Sequence, residues 1–326
     1  MRVFAIRLCL LIGALAFVTA LNMALAEEGG SGHYTPGSLA STVDMIPAEA
    51  AFVARLNASQ YDGSANSKGL KVPIAGVIAT DVDVETKELA LHLVWNPGWE
   101  GTEEWSYAMA MSLPYVSTTV SANIDEGERA NSNTSRRVTD KNSGIGDLVL
   151  QPLMVSYAIE KYWQSDFRFA IYTPTGGYER GRLANTGKNY WTFSPALALI
   201  HIEPAIGREF SVFGGIDFNT KNTDTDYHTG TQFHIDSTFV QYVILLGGFS
   251  GIGISGYWYQ QLTGDSGSGA TQGDFKSQAL GVGPVLSYRA KWASTKIIAE
   301  LKWLHEFETK RRYNGDTFSL KIRAEY

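Results

Sequence analysis

An all-β fold, an antiparallel up-and-down barrel of about twelve strands that crosses a membrane, is what this sequence predicts. Three observations carry the prediction. Side chains alternate in polarity along many short segments, the links between those segments alternate between long and short, and an export signal precedes them all.

The signal comes first. Arg2 and Arg7 form a basic start, Leu8 to Val18 an apolar run, and Ala24-Leu25-Ala26 a small-residue cleavage site of the A-x-A kind. The run is shorter than the roughly 20 apolar residues of a membrane-crossing helix. Residues 1–26 are therefore expected to be removed, with the mature chain starting at Glu27. Cys9, the only cysteine, leaves with them, so the mature chain can form no disulfide.

Residues 27–48 follow with weak periodicity, two prolines and several glycines. Two readings fit: a small plug folded into the pore, or a disordered periplasmic leader. The barrel itself is expected over residues 49–326.

Its strands are expected roughly at 49–61, 81–96, 105–124, 144–158, 164–174, 189–202, 208–220, 230–246, 249–262, 275–289, 295–308 and 316–326. Trp105, Tyr107, Met109, Met111, Leu113 and Tyr115 share one parity, and Ser106, Ala108, Ala110 and Ser112 the other. Successive strand side chains point to opposite faces, so this segment has one greasy face and one small, polar face. The pattern returns in Phe167, Phe169 and Ile171, in Trp191, Phe193, Leu197 and Leu199, and in Ile297, Ala299, Leu301 and Trp303.

The segments 62–80, 125–143, 175–188, 221–229, 263–274 and 309–315 are polar and read as long outward loops. Glu160-Lys161-Tyr162, Pro204-Ala205-Ile206 and Gly247-Gly248 read as short periplasmic turns. An even strand count and this asymmetry are what a single-chain barrel with both ends on the periplasmic side requires.

The last strand puts Phe318, Leu320, Ile322, Ala324 and the terminal Tyr326 on one face and Thr317, Ser319, Lys321, Arg323 and Glu325 on the other. An aromatic terminus closing an alternating strand resembles the signal read by the barrel-assembly machinery, an expected partner.

Several motifs add up to a family resemblance: Gly32-His33-Tyr34-Thr35-Pro36-Gly37, Gly146-Asp147-Leu148, Pro174-Thr175-Gly176-Gly177-Tyr178 and Asn185-Thr186-Gly187-Lys188-Asn189-Tyr190-Trp191. Asn222-Thr223-Asp224-Thr225-Asp226-Tyr227, the run from Gln260 to Gly269, and Gly281-Val282-Gly283-Pro284 complete the set. In order and spacing these resemble the phenol meta-pathway degradation protein family, also called SphA-like outer-membrane proteins. The resemblance implies an outer-membrane barrel of a Gram-negative bacterium, associated with aromatic-compound catabolism or hydrophobic-substrate uptake. It brings no catalytic residues.

Parity then places Arg168, Asp217, His234, Asp236, Glu300, Lys302, Glu306, Lys321 and Arg323 in the lumen, because charged groups are too costly against lipid. Such a set either props the barrel as a salt-bridge network or forms a polar constriction that selects substrates. Tyr257 and Tyr259, on one strand face, could give a passing aromatic weak, successive contacts.

Other chemistry is thinly supported. Chain charge is 27 Lys+Arg against 33 Asp+Glu, and loss of Arg2 and Arg7 lowers the basic count to 25 and the formal balance to -8. No basic stripe serves nucleic acid. Gly264-Asp265-Ser266-Gly267 imitates the surroundings of a hydrolase serine without a matching His motif. His228 with Asp224 and Asp226 lacks the spacing of a specific metal site. A barrel phospholipase would need a lipid-facing His and Ser, whereas His234 and Asp236 share a face that Ser237 does not; His201 has no nameable partner. No cofactor, metal or catalytic residue is therefore expected. The partners are outer-membrane lipid and a small hydrophobic or aromatic substrate. The leading expectation is a passive uptake channel, ahead of a non-conducting structural barrel and a lipid-acting enzyme.

Overall fold

A computed structural model describes residues 26–65, 70–98, 104–125 and 135–326; residues 1–25, which hold most of the expected signal, lie outside this set. The strands are β1 (Ala51–Ala65), β2 (Lys71–Ile74), β3 (Val77–Asn96), β4 (Trp105–Asp125), β5 (Ser135–Ile145), β6 (Val149–Glu160) and β7 (Trp163–Tyr172). They continue with β8 (Thr192–Glu203), β9 (Arg208–Asn219), β10 (Gln232–Leu245), β11 (Gly248–Gln261), β12 (Gln278–Trp292), β13 (Thr295–Lys310) and β14 (Asn314–Glu325).

Every pairing is antiparallel; β1 pairs with both β3 and β14, and β3 also pairs with β4, which closes the ring. β2 is a short hairpin arm on β3 alone. β5 and β6 lie end to end along β4, joined by Gly146-Asp147-Leu148, and together fill one place in the wall. Twelve wall positions result, the expected number. The loops expected at 62–80 and 125–143 are partly strand instead: β2 and the start of β3 occupy the first, β5 the second. Residues 66–69 and 126–134 of those loops lie outside the described residues.

Closure leaves no strand edge open along most of the wall, so backbone groups are satisfied without water, as a lipid interior demands. The outer face is correspondingly greasy. Leu197 is 62% exposed and its neighbour Ala198 5%, and the same alternation runs through Leu301, Leu320 and Ile322 against Lys302, Lys321 and Arg323. Phe52, Trp95, Trp105, Trp292 and Tyr326 ring the end with the short turns; Trp191, Phe218 and Trp258 lie toward the opposite end. Apolar bands bounded by aromatic girdles mark membrane barrels.

The short turns are tight. Leu246 and Gly247 both take positive φ (58° and 74°), the conformation of a two-residue hairpin whose twist matches its strands. At the other end lie the long connections, of which 173–191, 220–231 and 262–277 fold back over the lumen.

Residues 26–47 run inside the barrel, and residues 48–50 emerge at its short-turn end. Glu27 sits among the long loops, bonded to Asp265 and Arg312, and Asn96 at the short-turn end holds the Pro47 carbonyl (2.7 Å). The segment makes only two 3-10 turns, at Glu28–Gly30 and Thr42–Asp44. Its remaining backbone groups must find partners on the wall.

Candidate functional site in the lumen

The lumen has two unlike sides, and the charged one comes first. Near the short-turn end the Asp44 carboxylate accepts from Arg55 Nη1 (2.6 Å) and from Lys321 Nζ at both oxygens (2.8 Å each). Arg168 donates to the Asp44 carbonyl and to Asp166 (3.0 Å), and Arg323 to the Met45 carbonyl (2.5 Å) and Glu325 (2.6 Å). Lys302 reaches the Leu39 carbonyl (2.9 Å) and stands 3.3 Å from Glu300. Thr42 bonds to Glu209 through its backbone N–H (2.7 Å) and hydroxyl (3.1 Å), and Arg289 joins that group. Five strands thus spend their inward cations on one short piece of chain.

Midway, the Tyr34 ring stacks on His234 at 3.6 Å, and its hydroxyl donates to Asp236. His234 stands between Asp217 (3.7 Å) and Asp236 (3.8 Å). Tyr257 donates to Glu306 (2.7 Å) and Tyr259 to Glu27 (2.6 Å). Both tyrosines are buried with Tyr34, Ala279 and Leu304, so they face the N-terminal segment, not a passage open to a solute. Gly37, at φ 80°, sits so close to Leu304 and Tyr257 that a side chain there would collide with both.

Four of the seven motifs scattered along the sequence meet at one carboxylate. Asp147, in the break between β5 and β6, accepts from the backbone N–H groups of Gly176 (2.7 Å) and Lys188 (2.7 Å) and from His33 Nε2 (3.0 Å). His33 Nδ1 lies 2.7 Å from Thr192 Oγ1, and its ring packs on Tyr172 and Tyr190. Gly176 and Gly187 touch backbone to backbone: a Cβ on either would lie 2.7 Å from the other. One acidic side chain therefore ties together the wall, the loop over it and the segment inside. Nothing in its local sequence beyond Gly-Asp-Leu announces this, because its partners lie far along the chain.

On the other side, against β1, β3, β4 and β6, the lumen keeps a cavity of about 390 Å³. Its wall comes from Ser112, Pro114, Val116, Thr118 and Val120 on β4, and from Val84, Thr86, Glu88 and His92 on β3. Thr86 and Thr118 satisfy each other across the strands (3.1 Å). Residues 28–39 form the inner flank, and Ile74, Ala75, Leu183 and Tyr313 help roof it at the loop end. Glu306 and Lys321, which the sequence placed in the lumen, also border this cavity, but these small and mostly neutral residues of β3 and β4 were not named there, because charge was the guide. The alternation of Ser106 to Ser112 was the one signal that pointed this way.

The remaining candidates, apart from His201 on β8, are loop structure. Ser266 Oγ lies 3.3 Å from His228 Nδ1, but the other ring nitrogen meets the Asn219 carbonyl (2.9 Å), not a carboxylate. Asp226 faces Lys221 and the Ser268 N–H (2.8 Å). His201 packs against Trp163 and Tyr162. Among the described residues no group of three His, Cys, Asp or Glu converges on a metal-sized site.

A family model described as "Putative MetA-pathway of phenol degradation" matches residues 64–322. The fold resembles an outer membrane channel from Pseudomonas putida F1 at 16% identity, covering 87% of this chain and 98% of that one, with a TM-score of 0.64. A FadL homologue from Pseudomonas aeruginosa aligns at 10% identity over 85% of this chain and 90% of its own, with a TM-score of 0.41. Comparison with curated protein sequences returned no match.

Proposed function

The chain belongs to the family described as a putative MetA-pathway of phenol degradation, and from that premise we propose that it is a channel for passive entry of small hydrophobic or aromatic compounds across the outer membrane. The observation that carries this reading is the cavity of about 390 Å³ beside the N-terminal segment. Ligand sites of roughly 300–1,000 Å³ hold small organic molecules, and a one-ring compound such as phenol fits well within this space. Val84, Pro114, Val116 and Val120 offer apolar contact, and Ser112, Thr86 and Thr118 offer weak hydrogen bonds. Weak contacts in succession permit both entry and release.

The channel works without catalysis on this reading, since the Ser266 and His228 pair has no acid behind it. Lipid covers the outer belt, and the last strand, ending at Tyr326, serves as the handle for the barrel-assembly machinery.

Deleting the protein slows uptake of radiolabelled phenol by cells at low external concentration, and Val116→Trp, which fills the cavity, reproduces the defect with the barrel still folded. If uptake survives both changes, and the purified barrel in liposomes passes neither phenol nor ions, the channel reading gives way to a structural, non-conducting barrel.

A further inference from the structure

Asp265, in the Gly264-Asp265-Ser266-Gly267 turn, takes no part in the proposed passage, yet it is buried and crowded with donors. Its Oδ2 accepts from the Tyr227 hydroxyl (2.6 Å) and the Glu27 backbone N–H (2.8 Å); its Oδ1 accepts from Gln261 Nε2 (2.7 Å) and the Gly230 N–H (3.0 Å). All four donors are neutral. Among the described residues no Lys, Arg or His pairs with it. A buried carboxylate without a counter-charge is costly.

The nitrogen facing Asp265 belongs to the Ala26–Glu27 peptide bond, which is also the bond the Ala24-Leu25-Ala26 motif marks for cleavage. Hydrolysis adds one water across that amide: the new carboxylate leaves with the leader, and the new amine stays on Glu27 and takes up a proton. We propose that Asp265 is the binding site for the chain's own mature α-ammonium group, so that processing turns a neutral amide into the cation this carboxylate lacks.

The side chain of the same residue is held by complementary groups. Glu27 Oε1 accepts from Arg312 Nη1 (2.9 Å), the Tyr259 hydroxyl (2.6 Å) and the Ser277 hydroxyl (2.6 Å). The first mature residue is thus clasped twice, α-ammonium on Asp265 and side-chain carboxylate on Arg312. This fixes the register, because a chain starting one residue earlier or later carries its ammonium away from Asp265. Burial pushes the Asp265 carboxyl up while its four hydrogen bonds hold it down; an ammonium adds to the second effect and is itself stabilised in the charged form. The segment then has an anchor at each end, covalent at Ala51 and ionic at Glu27. This inference rests on the expected cleavage and is independent of what the barrel transports.

The test uses the processed, purified barrel. Its α-amine is labelled with an amine-reactive ester and the Glu27 peptide is quantified by mass spectrometry, folded and heat-unfolded, over a range of pH. The chain is expected to begin at Glu27 and to label roughly tenfold more slowly when folded, with an apparent α-amine pKa above the ordinary value of about 7.7–8.0. Asp265→Asn is expected to abolish most of this protection while the barrel keeps its heat-modifiable migration, and Asp265→Glu to restore part of it. A mature start at another residue, a wild-type α-amine pKa at or below the ordinary range, or unchanged protection in folded Asp265→Asn each overturns the proposal. The wild-type pH profile decides alone if the variant fails to fold.

Discussion

Along β13 the inward positions read Glu300, Lys302, Leu304, Glu306; along β4 they read Ser112, Pro114, Val116, Thr118, Val120. The same alternation makes both strands, and both turn a greasy face outward. What differs is whether the inward side chains can reach. Long cationic side chains on β1, β7, β12, β13 and β14 extend across the bore and reach the carbonyls, the Thr42 hydroxyl and the Asp44 carboxylate of residues 38–45. The short neutral groups of β4 stop near the wall and leave space. Charge gathered over residues 38–45 holds a segment in place, and where the wall is mostly short and neutral a gap remains, bordered by Arg55, Glu88, Glu306, Arg312 and Lys321.

Removing one anion should break that comparison most severely. Asp44→Ala strips Arg55 and Lys321 of their shared acceptor, and an uncompensated buried charge costs about 3–5 kcal/mol. The loss is read as a lower denaturation midpoint of the heat-modifiable band. Val116→Ala on the open side should cost less than about 1 kcal/mol, because a partly exposed cavity lining loses little contact. Equal losses would dissolve the distinction between the two sides.

A smaller effect sharpens the inside-outside parity on which the comparison rests. Leu320→Arg faces lipid and should cost about 2–4 kcal/mol, appearing as less folded protein in the membrane, while Ser319→Arg points into the lumen and should be tolerated. The reverse order would mean a register slip of one residue along β14.

The least effect is expected in the loops, beyond both sides. Lys221 and the Ser268 N–H hold the Asp226 carboxyl well below the ordinary carboxylate range. The contribution of this contact is therefore complete above the ordinary Asp value, near pH 3.9, and is lost only as pH falls through the depressed one. Hydrogen exchange at the Ser268 amide should stay slow at about pH 4 and quicken on further acidification. Quickening already at about pH 5 would contradict the pairing.

Much of the wall was legible in the sequence because lipid on one side forces a period of two. Where lipid is absent the period fails. β5, Ser-Arg-Arg-Val-Thr-Asp-Lys-Asn-Ser-Gly-Ile, pairs only with β4 and carries charge on both faces, so it read as part of a loop. The charged lumen residues stood out because a charge inside a strand demands explanation; Val84, Thr86 and Val116, which shape the cavity, demand none. Residues 27–48 stayed ambiguous between plug and leader for a different reason. Their conformation is set by partners such as Thr192, Asp236 and Lys321, more than 150 positions away, and a short window carries no trace of those.

The seam between β1 and β14 also sets an order of events in time. Val53 to Ser64 pair with Glu325 to Asn314 along it, and Phe52 and Tyr326 exchange backbone hydrogen bonds at its end (3.2 and 2.9 Å), so the ring shuts only once β14 is in place. Lys302, Lys321 and Arg323, three of the groups that grip residues 38–45, lie on the last two strands to be made. Sealing the wall and gripping the segment therefore draw on the same two strands, through contacts of very long sequence separation. Without those two strands the N-terminal segment lacks Lys302, Lys321 and Arg323, so the ordering of the pore's contents depends on the completion of its wall.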